Sequence, residues 1–581
     1  MNIPFKRYWD LLARHIRTQR GRFALLTVLL LTSIGLQILN PQVTRYFIDA
    51  ATAGEATRSL LLVALVFIGI ALLQQVTSVS ATYVGENVAW TATNALRAEL
   101  AAHCLNLDMS FHNDVSPGEL IERIDGDVME LSNFFSQLVI RVLGNLLLLL
   151  GIVLALVLVD LRLGLLFLIF AALTLLALNR VRGVAIPYQK ALRQAMADLF
   201  GFLEERLAGT EDIRSSGAVD FVVLGLCRLM YQILVHWRRA SRRMVLVYGV
   251  AGAVLAIGTT IAFVSGDALY GSGVISIGTV YLIVHYTTLL RRPIREITQQ
   301  LENLQNIGAA SERLADLRAV ESKIKDGPGA AMPAGPLAVS FEAVSFGYRD
   351  EERVLKEISF ELAPGRVLGL LGRTGSGKTT LARLLFRLYD LGSGRISLGG
   401  TDIREAKLDR LRQRVAIVTQ DVPLFQATVR DNLTFFDPSL SDERILAVIE
   451  ELGLESWFRA LPDGLDTRLA AGGRSLSAGE GQLLALARVF LRDPGLVILD
   501  EASSRLDPAT EQLIERAVDR LLEGRTAIVI AHRLGTVRRA DEILILDAGR
   551  VVEHGSRRVL AADSGSRLYH LLQTGLEEVL A

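Results

Sequence analysis

The chain of 581 residues has two cysteines and no excess charge of either sign. Cys104 and Cys227 allow at most one disulfide bridge and no zinc cluster, which excludes a small secreted domain built on disulfides. The 62 Lys and Arg residues balance the 62 Asp and Glu residues, so no net positive field favours nucleic acid as a partner. Abundant aliphatic residues and the lack of a long block of like charge exclude intrinsic disorder.

Charged residues make up 21% of the chain, whereas hydrophobic residues make up 51%. The chain is too long for one domain, since a single core stops growing near about 250–300 residues. A soluble protein of two domains would not average this apolar, so we expect part of the chain to lie in a lipid bilayer. The first apolar run follows a basic N-terminal stretch and no small-residue cleavage site comes after it, which predicts a retained span rather than a signal peptide.

Residues 1–325 contain recurring apolar runs long enough to cross a bilayer, which takes about 20 helical residues. The last run is short and contains His285, so hydropathy supports it least. Six spans are predicted: Phe23–Leu39, Leu60–Val79, Leu138–Val159, Leu161–Leu178, Val245–Val264 and Val274–Leu290.

The basic residues predict the orientation of the spans in the inner or plasma membrane. The N-terminal basic cluster should stay in the cytoplasm, and an even number of spans returns the C-terminal half to the same side. The long stretch at about 179–244 is rich in arginine, as an inner loop should be, whereas the acidic stretch at about 80–137 says little about topology. Both have few turn residues, so we expect helices that continue into the cytoplasm.

A Gly-, Pro- and Ala-rich segment at 326–336 marks the predicted boundary between the membrane domain and a second domain at 337–581. In the second domain short β-rich runs alternate with helical patterns, which predicts a mainly parallel sheet with helices on its faces. The predicted fold class is therefore a six-helix transmembrane α domain plus an α/β domain. The predicted strands are Val367–Leu371, Val415–Thr419, Leu496–Asp500 and Ala527–Ala531.

The strongest motif is a complete phosphate loop between a predicted strand and a predicted helix. Its glycines let backbone N–H groups close around phosphates, and the helix N-terminus adds partial positive charge. Lys378 should reach the β- and γ-phosphates of the nucleotide, and Thr379 should ligate Mg²⁺. The loop consists of Gly372, Arg373, Thr374, Gly375, Ser376, Gly377, Lys378 and Thr379, followed by Thr380.

An aliphatic strand at 496–499 ends in the two carboxylates Asp500 and Glu501. Asp500 would hold Mg²⁺ through water, and Glu501 would polarise the attacking water as a general base. Acidic residues at strand ends are common, so this pair indicates a catalytic site only because the chain also contains the phosphate loop.

Further motifs in a fixed order make the resemblance specific. These are Tyr348, Gln420, Leu476–Glu480, Asp507 and His532. With them, the C-terminal half resembles the nucleotide-binding domain of an ATP-binding cassette (ABC) transporter, with a helical subdomain at roughly Leu424–Arg492. The whole chain resembles the exporter-type half-transporters.

The resemblance implies a role for each of these residues with ATP and Mg²⁺ as cofactors. Tyr348 would stack on adenine, Gln420 would contact Mg²⁺ and the attacking water, and His532 would sense the γ-phosphate. Ser477 and Gly479 would meet the γ-phosphate bound to a partner chain. Asp507 and Thr380 complete the implied ATP-binding set.

The signature segment departs from the family sequence Leu-Ser-Gly-Gly-Gln. Ala478 adds a Cβ where the loop should approach phosphate closely, and Glu480 brings a negative charge. In this family two ATP molecules are clamped between two chains, so a weakened signature damages the site on the partner's phosphate loop. We therefore expect a heterodimer with a second half-transporter subunit that lacks the catalytic Glu or the switch His. A homodimer with a tolerated signature variant is the alternative.

Two cytoplasmic segments, Asp108–Val128 and Leu203–Ala218, resemble the coupling segments of these exporters. Within the spans, Arg141 is expected to snorkel or pair rather than line a cavity. His285 and Tyr286 could line the pathway or pack between helices.

The expected function is export of an amphipathic small molecule, lipid or peptide by alternating access, driven by ATP hydrolysis. A siderophore-type importer on the same fold and an ATP-gated regulator with little transport remain as alternatives. The transported substrate cannot be read from the sequence.

Overall fold

The computed structural model describes residues 18–136, 142–349, 352–419, 422–470, 476–500, 508–531 and 534–574. Its internal contacts divide the chain into two compact units. The first comprises the chain up to Leu105 together with Pro117–Val320, and the second comprises Asn106–Ser116 and the chain from Glu321 onward. The short segment Asn106–Ser116 thus belongs to the second unit, although the residues on both sides of it in the chain belong to the first unit.

Six helices dominate the described part of the first unit. Four of them (α1, α2, α4 and α5) are long and apolar enough to span a membrane, while α3 is apolar but shorter. As expected from the lack of turn residues, α2, α4 and α5 extend far beyond their apolar runs. The helices are α1 (Arg20–Thr52), α2 (Thr57–Leu105), α3 (Gly144–Val159), α4 (Leu161–Ala208), α5 (Val219–Gly271) and α6 (Ile277–Ala319).

The predicted bounds of two spans differ from the helices. The span predicted at Leu138–Val159 corresponds to α3, which begins at Gly144, and residues 137–141 with Arg141 lie outside the described part of the chain. The span predicted at Val274–Leu290 corresponds to α6. This helix begins three residues later, because Ser276 caps it by accepting a hydrogen bond from the Thr279 N–H. It continues past Leu290, because arginine lowers hydropathy without ending a helix.

Between α2 and α3 the chain forms short helices that cover the predicted first coupling segment. They are Met109–Asp114, Pro117–Ile121, a π-helix at Glu122–Asp127, and Val128–Ser136. The predicted second coupling segment contains the end of α4 and the helix Thr210–Ser215.

The first unit packs around an aliphatic core with one buried tyrosine. Tyr286 is fully buried, donates its hydroxyl proton to the Ile38 carbonyl at 2.8 Å and accepts a hydrogen bond from Gln42 at 3.0 Å. It therefore packs between α6 and α1. His285 is half-buried and its ring stacks on Tyr281 at 5.6 Å between centroids. The two neighbours thus lie on different faces of α6.

The second unit contains a six-stranded sheet in the order β10-β9-β3-β8-β7-β6. Five of its strands are parallel and β10 is antiparallel at one edge. The four predicted strands are all present, with ends shifted by one residue at β3, β6 and β8. The strands are β3 (Val367–Gly372), β6 (Val415–Val418), β7 (Leu496–Asp500), β8 (Thr526–Ile530), β9 (Glu542–Asp547) and β10 (Arg550–Ser556).

This sheet is buried on both faces, which explains its continuous apolar strands. In β7, Leu496 and Ile498 join one core cluster, and Val497 and Leu499 join the other. Each strand residue thus contributes to a core, whichever way it points.

A second, antiparallel sheet was not predicted. Its strand order is β2-β1-β4-β5, and the facing residues Phe341 and Phe360 stack at 4.6 Å between ring centroids. Exposed residues interrupt the apolar runs of these strands, such as Glu342 and Ala343 in β1 and Ser393 and Arg395 in β4, so their apolar signal is weaker than in the parallel sheet. They are β1 (Val339–Phe346), β2 (Leu355–Leu362), β4 (Ser393–Leu398) and β5 (Thr401–Asp402).

Helices flank the sheets of the second unit. Those in the predicted helical subdomain are Val429–Thr434, Asp442–Glu451, Glu455–Ala460 and Ala478–Arg492. The others in the described residues are Lys378–Leu385, Leu408–Arg414, Pro508–Leu522, Leu534–Arg539, Arg557–Ala562 and Arg567–Thr574.

The segment predicted as a linker at 326–336 packs along the second unit. The N–H groups of Gly329 and Ala330 both donate to the Glu405 carbonyl, at 3.0 and 2.9 Å. Arg414 donates to the Pro333 carbonyl at 3.1 Å. The Gly and Pro residues therefore mark an ordered, non-repetitive strap.

Asp108 fastens the segment Asn106–Ser116 to the backbone at Lys323, just before this strap. One carboxylate oxygen accepts from the N–H groups of Ser110 and Phe111 and so caps the helix Met109–Asp114, and the other accepts from the Lys323 N–H at 2.7 Å. Burial raises the pKa of Asp108, but the hydrogen bonds from Lys323, Phe111 and Ser110 outweigh it and lower the pKa below its usual value. The stabilisation is therefore present above the ordinary pKa of Asp and is lost as the pH falls through the lowered one.

We expect Asp108→Ala to loosen both segments. Loss of a helix cap costs about 1 kcal/mol, so the amides of Ser110, Phe111 and Lys323 should exchange about fivefold faster with deuterium. Asp114→Ala, an exposed carboxylate at the end of the same helix, is the matched control. Equal exchange in the two variants would contradict the role of Asp108.

Candidate functional site

The phosphate loop connects β3 to the helix Lys378–Leu385 (α7) through a backbone that only glycine adopts without strain. Gly375 and Gly377 have φ of +82° and +106°. A Cβ on Gly377 would lie 2.5 Å from the Leu355 Cδ2 atom, and one on Gly372 would lie 2.3 Å from the Leu546 carbonyl oxygen. The glycines thus allow both the curvature of the loop and its close packing on the strands.

Lys378 is folded back into this loop. It is 7% exposed, and its Nζ donates to the carbonyls of Gly372 at 2.5 Å and Arg373 at 3.0 Å. Burial lowers the pKa of Lys378, and the negative charge of Asp500 partly opposes that shift. The ammonium group is therefore poorly solvated and held at the loop.

The loop fits a phosphate group. The Ser376 hydroxyl is buried and has no hydrogen-bond partner within the described part of the chain. A buried hydroxyl without a partner is costly, and a phosphate oxygen within the loop would satisfy it. Together with the helix N-terminus and the Lys378 charge, this arrangement suits an anion with several acceptor oxygens.

The carboxylate of Asp500 stands at the carboxyl end of β7. This strand lies between β6 and β8, and β3 lies beyond β8, so the ends of all four strands meet at one edge of the sheet. The negative charge of Asp500 raises the pKa of Lys378 against the larger effect of burial, as expected for two groups near the same edge of the sheet. Thr379, another of the three predicted metal ligands, is exposed.

Four predicted site residues lie outside the described residues: Gln420, Glu501, Asp507 and His532. Three of them closely follow strands of the sheet. Gln420 comes two residues after β6, Glu501 one residue after β7, and His532 two residues after β8.

Tyr348 stands beside the start of α7. Its hydroxyl lies 3.1 Å from the Thr380 hydroxyl and accepts a hydrogen bond from Arg383 at 3.1 Å. Its ring packs edge-on against Phe346 and Tyr389, and 39% of the residue remains exposed. The ring is therefore fixed in orientation while still accessible.

Arg383 and Tyr389 were missed by the sequence analysis. Arg383 lies on α7 one turn beyond Thr380, and this helical spacing was the available signal. Tyr389 also accepts a hydrogen bond from Asn113 at 2.8 Å, which fastens the helix Met109–Asp114 within the second unit. No sequence pattern indicates that contact.

The signature segment begins the helix Ala478–Arg492 with a capping box. The Ser477 hydroxyl accepts from the Glu480 N–H at 3.2 Å, and the Glu480 carboxylate accepts from the Ser477 N–H at 2.7 Å. Ser477 is exposed and Gly479 is buried. The negative charge that departs from the family sequence thus occupies the helix N-terminus, where it stabilises the helix.

We expect Gly377→Ala to weaken ATP binding by at least tenfold, because the left-handed conformation costs an L-residue about 1–2 kcal/mol and the Cβ clashes with Leu355 in addition. Gly365→Ala is the control: it has φ of +74° in a turn where a Cβ meets nothing. Titration of the purified full chain with a fluorescent ATP analogue measures both. Equal affinities in the two variants would contradict the importance of loop packing.

The comparisons with known proteins agree with this geometry. The family model described as ABC transporter matches residues 355–504, and the one described as ABC transporter transmembrane region matches residues 23–294. An uncharacterized ABC transporter ATP-binding protein, YknV of Bacillus subtilis, is 31% identical over 554 residues, which cover 93% of this chain and 89% of that protein. The ATP-dependent lipid A-core flippase of Haemophilus influenzae is 30% identical over 532 residues, 90% of either chain.

A solved structure of a bacterial Atm1-family ABC exporter with ATP bound is similar over nearly the whole chain. The TM-score is 0.78 at 25% identity, and the match covers 96% of this chain and 98% of the other. The predicted fold class is confirmed. The chain therefore belongs to the ABC transporter family, as an exporter half-transporter in which membrane-spanning helices are fused to an ATP-binding domain whose ATPase activity is coupled to transport.

Proposed function

We propose that this protein uses hydrolysis of Mg²⁺-ATP to export an amphipathic small molecule, lipid or peptide across the cell membrane by alternating access. The observation that carries the proposal is the phosphate loop, with its buried Lys378 and its unpartnered Ser376 hydroxyl, on the same chain as a unit of membrane-length apolar helices. A lipid flippase among the relatives supports an amphipathic cargo.

The ATP site is proposed to form around the phosphate loop. The loop residues Gly372, Arg373, Thr374, Gly375 and Gly377 would surround the phosphates with N–H groups, while Ser376 and Thr380 would add hydroxyls and Tyr348 would stack on adenine. Asp507 belongs to the same set by resemblance, and Ser477 and Gly479 would complete the site of a partner chain.

Lys378 is proposed to change partners when ATP binds. Its Nζ now donates to the Gly372 and Arg373 carbonyls, which are neutral acceptors, and a phosphate oxygen would be a stronger one. The lowered pKa shows that the buried ammonium lacks full solvation, so an anion in the loop would stabilise its charged form.

Mg²⁺ is proposed to be held by Thr379, Asp500 and Gln420. A hydroxyl, a carboxylate and an amide supply oxygen atoms, the donors that this hard cation prefers. When bound, the cation neutralises charge that develops on the phosphates. Glu501 would polarise the attacking water, and Gln420 and His532 would position it and contact the γ-phosphate.

The domain assignment is likewise a proposal: a transmembrane domain at 1–325, a linker at 326–336 and an ATP-binding domain at 337–581. The apolar helices require a lipid bilayer as their environment. With the arginine-rich inner ends in the cytoplasm, the ATP-binding domain would also lie there, beneath the inner or plasma membrane.

The partner is proposed to be a different half-transporter subunit. Ala478 and Glu480 alter the signature that completes the partner's ATP site, whereas this chain keeps Glu501 and His532 of its own site. One competent site per complex, built on this chain's phosphate loop, is the arrangement that these departures favour.

We expect Glu501→Gln to lower the ATPase rate of the co-purified complex by about 10²–10⁴-fold, because it removes the general base. Native mass spectrometry of the same sample should find two different polypeptides. Glu523→Gln is the control, because it makes the same charge change at an exposed position just after the helix Pro508–Leu522. Loss of only half the rate, or a complex of one polypeptide, would contradict the heterodimer.

We expect Glu480→Gln to tighten ATP binding in the complex two- to fivefold, because a charge at a helix N-terminus contributes about 0.3–1 kcal/mol and here repels phosphate. Gln can still accept from the Ser477 N–H, so the capping box is kept. Glu451→Gln, at an exposed position near the end of its own helix, is the control. Unchanged affinity in Glu480→Gln would show that the signature tolerates this charge.

A further inference from the structure

One face of α6 differs from the exposed faces of the other membrane helices. Tyr281, Thr288, Arg292 and Arg295 are exposed on it and His285 is half-buried, at spacings of three and four residues. Such spacing places all five on one stripe of a helix. We call this stripe the polar face of α6.

The other helices expose aliphatic side chains at membrane depth. Examples are Leu61, Leu72 and Val76 on α2, Leu150 and Leu154 on α3, and Leu173 on α4. Among the described side chains of α6, the exposed large hydrophobic residues are Ile277 and Tyr281, both near its N-terminal end. Lipid tails can cover these aliphatic surfaces, but they offer no hydrogen-bond partners to the polar face of α6.

The depth of this face follows from hydrogen bonds between α6 and α1. Asp49 accepts from the Ser276 hydroxyl at 2.7 Å and from the Gly278 N–H at 2.9 Å. Further along, Tyr286 joins Gln42 and the Ile38 carbonyl. The two helices therefore run antiparallel in a fixed register.

In this register Arg292 lies level with about Ile34, and Arg295 with about Leu31, at 1.5 Å per residue along each helix. Ile34 packs in the same core cluster as Leu290 and Ile294, which extends the register to this level. Leu31 is the middle residue of the apolar run Phe23–Leu39. The Arg22–Asn87 hydrogen bond places these levels of α1 opposite Gln75 and Ser78 of α2, near the end of its apolar run Leu60–Val79. The two arginines thus lie in the half of the hydrocarbon layer that is nearer the N-terminus of α1.

His285 and Thr288 lie deeper than the arginines, because the same registers place them level with about Ile68 and Ala71 of α2, near the middle of its apolar run. Ionisable groups at mid-membrane, such as His285, face protein or water rather than lipid. The polar face must therefore be covered by a hydrated cavity or by another protein surface.

The charge of the face is positive. The apolar runs of the helices α1 to α5 contain no Asp or Glu. Among the described side chains, the acidic residue beside the arginines is Glu296, whose carboxylate lies 3.9 Å from the Arg295 guanidinium group. It balances one of the three arginines at positions 291, 292 and 295, so an excess of cationic donors remains.

We propose that the polar face of α6 lines a water-filled transport pathway and binds the acidic headgroup of the exported amphipath, a carboxylate, phosphate or sulfate. This proposal rests on the proposed export function and names its substrate class. Guanidinium groups bind such oxyanions through paired hydrogen bonds, which makes Arg292 and Arg295 the recognition pair. Thr288, His285 and Tyr281 offer hydrogen-bonding groups in steps along the same stripe toward the other end of the helix.

The direct test is equilibrium binding to the full complex in nanodiscs without ATP. The probes are short-chain fluorescent phosphatidylglycerol and phosphatidylcholine with identical tails. The wild type should bind the anionic probe at least tenfold more tightly, and R292Q/R295Q should lose that preference while its affinity for phosphatidylcholine stays the same. R292K/R295K should keep part of the preference, and R162Q, a charge change near the N-terminus of α4, should keep all of it.

Equal affinity of the wild type for both probes, or an unchanged preference in R292Q/R295Q, would overturn the proposal. Because binding is measured without turnover, this outcome is separate from failure of the proposed function. That failure would be the absence of ATP-driven movement of any amphipath in reconstituted vesicles.

A second measurement asks whether water or another protein surface covers the face. In a Cys227→Ser background, Thr288→Cys should react with a charged, membrane-impermeant thiol reagent. Leu72→Cys should not react: it is exposed on α2 at about the same depth, by the register that the Arg22–Asn87 hydrogen bond sets between α1 and α2. An unreactive Thr288→Cys would show that the second subunit covers this face and would overturn the pathway.

Discussion

Polar groups that leave water must find partners inside the protein, and this constraint governs both units of the chain. In hydrocarbon an unsatisfied backbone N–H or carbonyl costs several kcal/mol, so the membrane-spanning segments are helices whose hydrogen bonds close within each segment. The same rule explains the paired side chains in the first unit. Tyr286 is buried among aliphatic residues only because Gln42 and the Ile38 carbonyl complete its hydrogen bonds.

In the ATP-binding unit the same constraint favours binding of a ligand, because a ligand can satisfy polar groups that the protein buries. Its phosphate loop keeps the ammonium of Lys378 and the hydroxyl of Ser376 out of water. The ammonium donates to two carbonyls, and the hydroxyl has no hydrogen-bond partner among the residues that the structure describes. A site of this kind gains more from an anion than a solvated site would, because the ligand replaces weak partners rather than water.

Much of the fold was predictable because its signals are local. Apolar runs of span length gave the helices, and continuous aliphatic strands gave the parallel sheet, since burial on both faces removes polar residues from every position of a strand. The antiparallel sheet was missed because polar and exposed residues interrupt the apolar runs of its strands. The sixth apolar run ends at Leu290 because Arg291 and Arg292 lower hydropathy, whereas the helix α6 itself continues to Ala319.

The sequence by itself determined the family and predicted the residues of the ATP site, because the phosphate loop and the motifs after each strand are short, contiguous patterns whose chemistry depends on residue type. Only the tertiary structure decided which polar groups meet across the chain: Asp108 with Lys323, Asn113 with Tyr389, Asp49 with the start of α6. These pairs are far apart in sequence, and their contact depends on how helices and strands pack. The depth of Arg292 and Arg295 likewise follows from the register between α6 and α1. The apolar run of a single helix does not give that register.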